Sequence, residues 1–548
     1  MINVTMGSAS FELERKTKIL DLIPENNKKQ YFAAKVNNRL RELTYELSFD
    51  CNVELLDNSS YDSVKVYETS LRYLLAMAFH NLYPNYQIRI SYNISRSLLV
   101  SILSPNNVVA DSKMISSLKE EMQRLVDEDI PFVRKTITKE EAHEKYVQSN
   151  QLDKDAILKY RPEKNCHIYV CGDYENYMYG YMVPSTGYLR EFKLFSYDFQ
   201  VVVQYPRYES GGKIPQFKDE PTFSRVLKKS HKWAKICNAE IVAKMNDHVK
   251  EDTYVDFINM CETYHNDMLA KLGEKIVEDI DNIRLICIAG PSSSGKTTFS
   301  NRLRIELMSK GITPLRISLD MYYKKREECP LDEFGKPDFE SIYALDLELF
   351  NEHMLALING EEVSLPSFSF ETGQITFKEK IKIDSKTPII IEGIHALNDE
   401  LSFAIPKHQK FKIYIAPQFQ INIDNHNPIS FTDIRLLRRI VRDKENRGTS
   451  AEGTLSMWPS VRRGEFKWIY PYQEGCDFIF NSALTYELCV MKKYALPALL
   501  EISSDSPHFI TANRLIKFLK HFKDMDDKWI PCNSLLREFI GGSCFKDV

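Results

Sequence analysis

Gly290-Pro-Ser-Ser-Ser-Gly-Lys-Thr-Thr298 is the stretch on which the fold turns, a Gly-x-x-x-x-Gly-Lys-Thr sequence halfway along a chain of 548 residues. Ahead of it, Leu285-Ile-Cys-Ile-Ala289 is a short apolar, β-branched run that reads as a strand. Behind it, Thr297 to Met308 has the spacing of an amphipathic helix. Strand, glycine loop and helix in that order predict a phosphate-binding loop. Gly290 and Gly295 let the backbone N–H groups from Ser292, Ser293 and Ser294 through Thr298 close around phosphate oxygens, and the helix N-terminus adds partial positive charge. Lys296 is then placed to reach the β- and γ-phosphates, and the Thr297 hydroxyl to ligate Mg²⁺. These residues imply a nucleoside triphosphate.

Composition leaves that reading room. A formal net charge of -4 gives no general electrostatic case for nucleic acid or an anionic membrane. Eleven cysteines without a Cys-x-x-Cys pair, and no basic-then-apolar opening segment, lead us to expect a reducing cytoplasm. Cys166, His167 and Cys171 match no zinc spacing and read as core residues. No apolar run reaches the roughly 18 residues of a membrane-crossing helix.

Outward from the loop, pattern changes divide the chain. Residues 1–57 alternate short β-like runs (Ile2 to Met6, Ala33 to Val36, Val53 to Leu56) with a helical Ile19 to Ile23 piece. Residues 58–223 open on a helix over Val66 to Leu82 and continue through strand-like stretches. Residues 224–281 read as a helical connector, rich in Lys, Glu, Ala and Met. Residues 282–504 alternate strand and helix, with strands at Leu285 to Ala289, Leu315 to Ser318, Ile389 to Ile391, Phe411 to Ile415 and Phe478 to Phe480. Their near-continuous apolar character predicts an α/β fold with a parallel sheet flanked by helices. Residues 505–548 form a tail with a basic helix, Ala512 to Phe522.

Three downstream features bear on the chemistry. The strand at Leu315 runs into Asp320, so a carboxylate stands at a strand's C-terminal end, able to accept a proton from an attacking hydroxyl or to cap a turn. Ile389-Ile-Ile-Glu392-Gly393 is a second such strand, whose acid supports Mg²⁺ beside Thr297 or simply closes a turn. Arg435, Arg438, Arg439 and Arg442 share one face of a helix-like Thr432 to Asn446 segment, followed by Arg447 and Gly448. Such a face is either solvated charge or a lid that neutralises a transferring phosphoryl group.

Taken in order, these motifs resemble the uridine kinase and phosphoribulokinase family over roughly 283–502. Gly290 to Thr297 is similar to the family's loop and Asp320-Met-Tyr-Tyr323 to its Asp-x-Phe/Tyr-Tyr. Pro337-Asp338-Phe339-Glu340 echoes Pro-Asp-Ala-Phe-Asp, and Ile391-Glu392-Gly393-Ile394 echoes Phe-Glu-Gly-Ile. Arg435-Leu-Leu-Arg-Arg-Ile-Val-Arg-Asp443 looks like its arginine lid. The resemblance implies an ATP-dependent kinase acting on the 5′-hydroxyl of a nucleoside, or on a non-nucleoside sugar alcohol. Asp320 would be the base, with Lys296, Arg438 and Arg442 stabilising the γ-phosphoryl group. Arg439 would contact the nucleotide, and Thr297 and Glu392 would organise Mg²⁺. Tyr322, Asp338, Phe339, Phe368, Phe370 and Arg447 would surround the acceptor. Where pyrimidine nucleoside kinases carry Tyr-Asp-Phe and then His, this chain has Phe368-Ser-Phe-Glu-Thr-Gly373, which leaves the acceptor's base open.

The first half resembles other families. Phe32-Ala-Ala-Lys-Val-Asn-Asn38 and Leu40-Arg-Glu-Leu43 are similar to the ubiquitin-like TGS module of threonyl-tRNA synthetases. Thr69-Ser-Leu-Arg-Tyr73 and Met178-Tyr-Gly-Tyr-Met-Val-Pro184 look like that enzyme's editing domain, normally His-Ser-x-x-His and Cys-x-Gly-x-His-Val-Pro. Four nitrogen or sulfur donors have become Thr69, Tyr73, Met178 and Met182, a set unsuited to Zn²⁺ or histidine chemistry. A structural role is expected for this half, with binding of RNA or tRNA, a nucleotide or another partner as the alternative. The rival for the whole chain is a nucleotide-regulated RNA-binding protein. Its GTPase version has Asp332-Glu-Phe-Gly335 as Asp-x-x-Gly but no Asn-Lys-x-Asp to read guanine.

Overall fold

A computed structural model of the protein describes residues 1–104, 108–369 and 372–547. The five apolar runs of the second half form one sheet: β1 (Leu285–Ala289), β2 (Leu315–Ser318), β3 (Ile389–Glu392), β4 (Lys410–Ala416) and β5 (Phe478–Asn481), in the order β2-β3-β1-β4-β5. Every pairing is parallel. Period-two geometry sends Leu285, Cys287 and Ala289 of β1 to one face, with Ile317, Ile389 and Ile391. Ile286 and Ile288 go to the other, against Ile390, Phe299 and Leu303. With both faces covered, each buried isoleucine contributes about 1.5–3 kcal/mol, and there is no polar alternation because neither face meets water.

α1 (Lys296–Ser309) packs on the second of those faces, and α2 (Phe431–Arg447), α3 (Ala451–Trp468), α4 (Glu487–Leu500) and α5 (Phe509–Leu519) gather in an adjoining cluster. The basic helix of the tail starts three residues earlier than its expected Ala512 and ends at Leu519, because Ile510, Leu515, Phe518 and Leu519 form its buried stripe. The tail is part of the core; Leu536, Phe539 and Ile540 are buried in the same cluster.

The first half is mixed α+β. A five-stranded sheet places Ile2–Met6 and Cys51–Leu56 in parallel at its centre, flanked by Ala9–Leu13 on one side and by Ala33–Val36 and Arg39–Arg41 on the other. The expected helical piece at Ile19 is a short 3₁₀ turn, Ile19–Leu22. A helix over Tyr61–Leu82 carries sixteen buried residues between Ser63 and Phe79. It is walled by sheets containing Gln87–Tyr92 and Leu98–Leu103 and, separately, Val133–Thr138 and Asn165–Cys171. Three helices, Pro221–Ile236, Val242–Asp247 and Tyr254–Val277, link the halves.

The halves are bonded to each other directly. Ile90 donates to the Asn425 carbonyl at 2.7 Å and accepts from Asn422 Nδ2 at 2.7 Å. Arg89 donates to the Gln420 carbonyl at 3.1 Å, and Arg72 to Asn427 Oδ1 at 3.1 Å. Among the described residues no helix is long and apolar enough to cross a membrane.

Candidate active site

Register gathers the predicted carboxylates. Glu392 stands opposite Ile288 on one side and Ser318 on the other, so the loop after β1, the turn after β2 and the end of β3 meet at one C-terminal edge, where open α/β sheets take their ligands. At the loop's entry only glycine fits: a Cβ on Gly290 would lie 1.9 Å from the Ile415 carbonyl oxygen. At its exit Gly295 has φ +92° and caps α1. Gly290→Ala is therefore expected to weaken nucleotide binding by at least about tenfold through displacement of the loop. Equilibrium titration of folded protein with ATP measures this; an unchanged affinity would show that the loop tolerates the shift.

Inside the loop, the buried Ser293, Ser294 and Thr298 hydroxyl oxygens have no hydrogen-bond partner. Lys296 turns back onto the carbonyls of Gly290 and Pro291, at 3.1 and 3.3 Å. Unmet buried hydroxyls beside a lysine and a helix N-terminus suit a phosphate chain. Thr297 and Glu392 together offer one hydroxyl and one carboxylate, an all-oxygen set of the kind that holds Mg²⁺ with help from phosphates.

The charges form one field. Asp320 remains open to water at the sheet edge, yet enclosure by protein raises its carboxyl above the ordinary range, against the pull of Lys296, Arg447 and Arg442. Burial pushes Glu392 up to about 7, with Asp320 adding to the rise and Lys296 and Arg316 opposing it. The Lys296 ammonium is lowered by burial and held up by Glu392, Glu538 and Asp320. Glu340 joins them. Enclosure pushes its carboxyl up to about 7 against the pull of Arg439 and Lys296.

Glu340 gives a stability test. The folded chain holds this proton more tightly than an unfolded chain with an ordinary value of 4.5. Its contribution to stability therefore falls as pH rises from about 4.5 to about 7 and stays low above that. Glu340→Gln should raise the melting temperature more at pH 8 than at pH 5, by an increment on the order of 1–3 kcal/mol at the higher pH. Equal shifts in scanning calorimetry at both values would show that the carboxyl does not titrate there.

The arginines divide into two groups, which corrects the single-lid expectation. Arg438 has no solvent exposure and is held by Glu487 at 2.8 and 2.6 Å and by the Ser482 carbonyl at 2.8 Å. Its remaining nitrogen faces the Ser293 carbonyl at 3.4 Å. A guanidinium so committed braces the loop from beneath and is not free to meet a phosphoryl group, so the catalytic assignment of Arg438 is withdrawn. Arg435 is likewise paired with Glu465, at 3.0 Å through one nitrogen, and holds the Ser292 carbonyl at 3.1 Å. The second group is arranged around Asp443: Arg439 at 3.2 Å, Arg442 at 2.7 Å and Arg447 at 3.9 Å. Arg442 and Arg447 also act on the Asp320 carboxyl, and Arg439 donates to Ser292 Oγ at 2.8 Å.

On the acceptor side, Tyr322 is only 1% exposed. Its hydroxyl lies 3.2 Å from His353 Nδ1 and its ring packs on Phe350, so it faces the core. The chain after β2 forms a 3₁₀ turn, Leu319–Tyr322, in which side chains at i and i+3 eclipse. That geometry sets Tyr322 over the buried Leu319 and turns it inward, and the extended Tyr323 follows the turn. Tyr323, which sequence reasoning passed over, meets Phe339 edge-on and Phe368 at a tilt, at centroid distances of 6.0 and 5.8 Å. Its hydroxyl donates to the Phe339 carbonyl at 2.9 Å. Asp338 caps the following turn by accepting from the Glu340 N–H at 3.2 Å. Phe370 lies outside the described residues.

One contact had no signal near the motif. Glu538 Oε2 accepts from the Thr298 N–H at 2.9 Å, across 240 residues. It occupies a backbone donor at the α1 N-terminus that the phosphate cradle was expected to use. The Glu538 carbonyl accepts from Asn446 Nδ2 at 3.3 Å, and Leu535 covers Gly295.

A glycine loop, an opposed pair of strand-end carboxylates and an arginine group at one edge of a parallel sheet define a P-loop kinase. The sequence profile of the Phosphoribulokinase / Uridine kinase family matches residues 285–488. The uridine kinase of Bacillus pumilus is 30% identical over 196 residues, which are 36% of this chain and 84% of that enzyme. That of Staphylococcus haemolyticus is 31% identical over 199 residues, 36% of this chain and 87% of the relative. Through this region the chain belongs to the phosphoribulokinase/uridine kinase family. Among solved structures, D-glycerate 3-kinase from Cryptococcus neoformans var. grubii aligns over 46% of this chain and 87% of its own at 13% identity, with a TM-score of 0.22.

Proposed function

We propose that the protein transfers the γ-phosphoryl group of ATP to the 5′-hydroxyl of a nucleoside. The observation that carries this reading is the convergence of Lys296, Asp320, Glu392, Arg442 and Arg447 on one another's charges at the sheet edge beside the loop. Phosphoryl transfer asks a protein mainly for alignment and for neutralisation of charge on the moving group. Asp320 accepts the acceptor's hydroxyl proton, Lys296 and the loop amides hold the phosphates, and Arg442 with Arg447 meets the charge that develops. Thr297 and Glu392 would hold Mg²⁺, which would supply positive charge against the phosphates. Tyr323, Phe339 and Phe368 make an aromatic wall for the acceptor's ring, while Asp338 orders the turn that carries Phe339 and Glu340. The uridine kinases among the relatives favour a nucleoside acceptor over another sugar alcohol.

We read residues 1–57 as a TGS-like module, 58–223 as an editing-like module whose site has been retired, 224–281 as the connector, 282–504 as the kinase and 505–548 as its tail. Support comes from where the altered positions sit. Tyr73 donates to the Tyr174 carbonyl at 2.7 Å, Thr69 to the Lys65 carbonyl at 2.9 Å, and Met178 and Met182 are buried. Tyr73 and Met182 bear load in the core, in keeping with a structural role, while Thr69 and Met178 also border a cleft between the halves. Nine buried free cysteines suit the cytoplasm.

The test is a panel of pyrimidine and purine nucleosides and non-nucleoside alcohols with Mg-ATP and the full chain. A nucleoside 5′-monophosphate should form with matching ADP release. Release of ADP that no acceptor stimulates would overturn the reading.

A further inference from the structure

A second cleft, of about 380 Å³, opens away from the phosphate loop. Its walls come from the two halves of the chain: the helix Tyr61–Leu82 and the strands Val133–Thr138 and Asn165–Cys171 on one side, α5 on the other. The volume falls within the range of small-molecule sites. Its inner surface is largely aromatic and aliphatic, including Tyr92, Tyr177, Tyr179 and Phe518.

Its charges do not balance. The three acids in the lining are met by two cations: Asp433 pairs with Arg514, which also acts on Asp62, and Glu163 pairs with Arg161 at 3.8 Å. Lys65 is taken by Glu68 at 3.1 Å. That leaves Arg134, Lys517 and Lys520, brought from two distant parts of the sequence to one mouth, with no carboxylate within ion-pair distance among the described residues. Arg134 lies over the Tyr181 ring at 5.4 Å. Burial together with Arg41, Arg134 and Lys520 lowers the Lys517 ammonium below its ordinary value, and the same neighbourhood lowers His167. Deeper in, Asp433 keeps Oδ1 buried and without a hydrogen-bond partner, an acceptor that a ligand N–H or O–H can meet.

We propose that this cleft is a second, non-catalytic site for a free phosphorylated nucleoside, with its phosphate between Arg134, Lys517 and Lys520 and its base among the tyrosines. Phosphate meets unpaired arginine and lysine in charge-assisted bonds. The base finds flat aromatic partners and a single buried acceptor. A mononucleotide is favoured over a long polyanion because the site is a bounded cleft on a chain of net charge -4. Ligand held here contacts both halves at once and bears directly on α5.

Calorimetric titration of the full chain with AMP and UMP, each compared with inorganic phosphate, tests the proposal. Lys296→Ala removes the phosphate loop's lysine. Arg134→Glu with Lys517→Glu alters two exposed side chains, and circular dichroism checks that the fold is retained. At least one monophosphate should bind Lys296→Ala within about threefold of wild type and at least tenfold more tightly than phosphate, and the double variant should weaken it at least tenfold. Three results would overturn the proposal: binding lost in Lys296→Ala and unchanged in the double variant, no monophosphate binding below millimolar concentration, or binding shown only by an RNA oligonucleotide. Because the loop variant separates the two sites, failure here leaves the kinase reading standing.

Discussion

Asp320→Asn is expected to lower kcat for acceptor phosphorylation by about 10²–10⁴-fold, the usual contribution of a positioned general base. Asparagine keeps the size and much of the hydrogen bonding of the carboxylate but cannot take up a proton. The backbone that presents it is fixed independently: the Asp320 N–H lies 3.4 Å from Ser318 Oγ, and the 3₁₀ turn is set by the buried Leu319 beneath it. ATP affinity should therefore stay within about threefold. Asp320 also raises the Glu392 carboxyl by repulsion, so the variant relieves a like-charge contact and has no reason to unfold. Steady-state kinetics over a range of both substrates is the measurement. Unchanged kcat would remove Asp320 from the chemistry, whereas a large loss of ATP affinity alone would make it part of the cation's surroundings.

Glu538→Gln should move two observables in opposite directions. The carboxylate accepts the Thr298 N–H at the N-terminus of α1, a position where an anion is stabilised by the helix dipole and by unpaired amides. Without ligand, losing its charge should destabilise the protein by about 0.5–2 kcal/mol. With ligand, the same charge repels a triphosphate that needs that amide, so the variant should bind ATP about 5- to 30-fold more tightly. A lower melting temperature for the nucleotide-free protein combined with a smaller dissociation constant is the signature. Equal or weaker ATP binding would show that phosphate and Glu538 do not compete.

The parallel sheet and loop were legible because their signals are local. Five apolar runs of four to seven residues, a glycine loop and two strand-end acids each lie within a few neighbouring positions, and the strands formed where those runs occur. Misreadings arose where partners are remote. Helical spacing put Arg435, Arg438, Arg439 and Arg442 on one basic face, but it carries no trace of Glu465 and Glu487, which draw Arg435 and Arg438 inward. Asp443 could have been noticed, since it sits four residues from both Arg439 and Arg447 on the same helix. Tyr322 was placed in the acceptor pocket by motif alignment, but the turn sets it over the buried Leu319 and leaves Tyr323 beside Phe339 and Phe368. Glu538 is separated from the loop by the whole kinase region, and no pattern in its own neighbourhood marks it.

That separation has a temporal side. At ribosomal rates of about 5–20 residues per second, the 240 residues between Thr298 and Glu538 take on the order of 12–50 s to make. For that interval a nascent chain carries the phosphate loop without the acid that later shares its amide. The neighbouring strands Ile389–Glu392 and Lys410–Ala416 are made within the same interval, so of the carboxylates named at this site Glu538 is the last to be made.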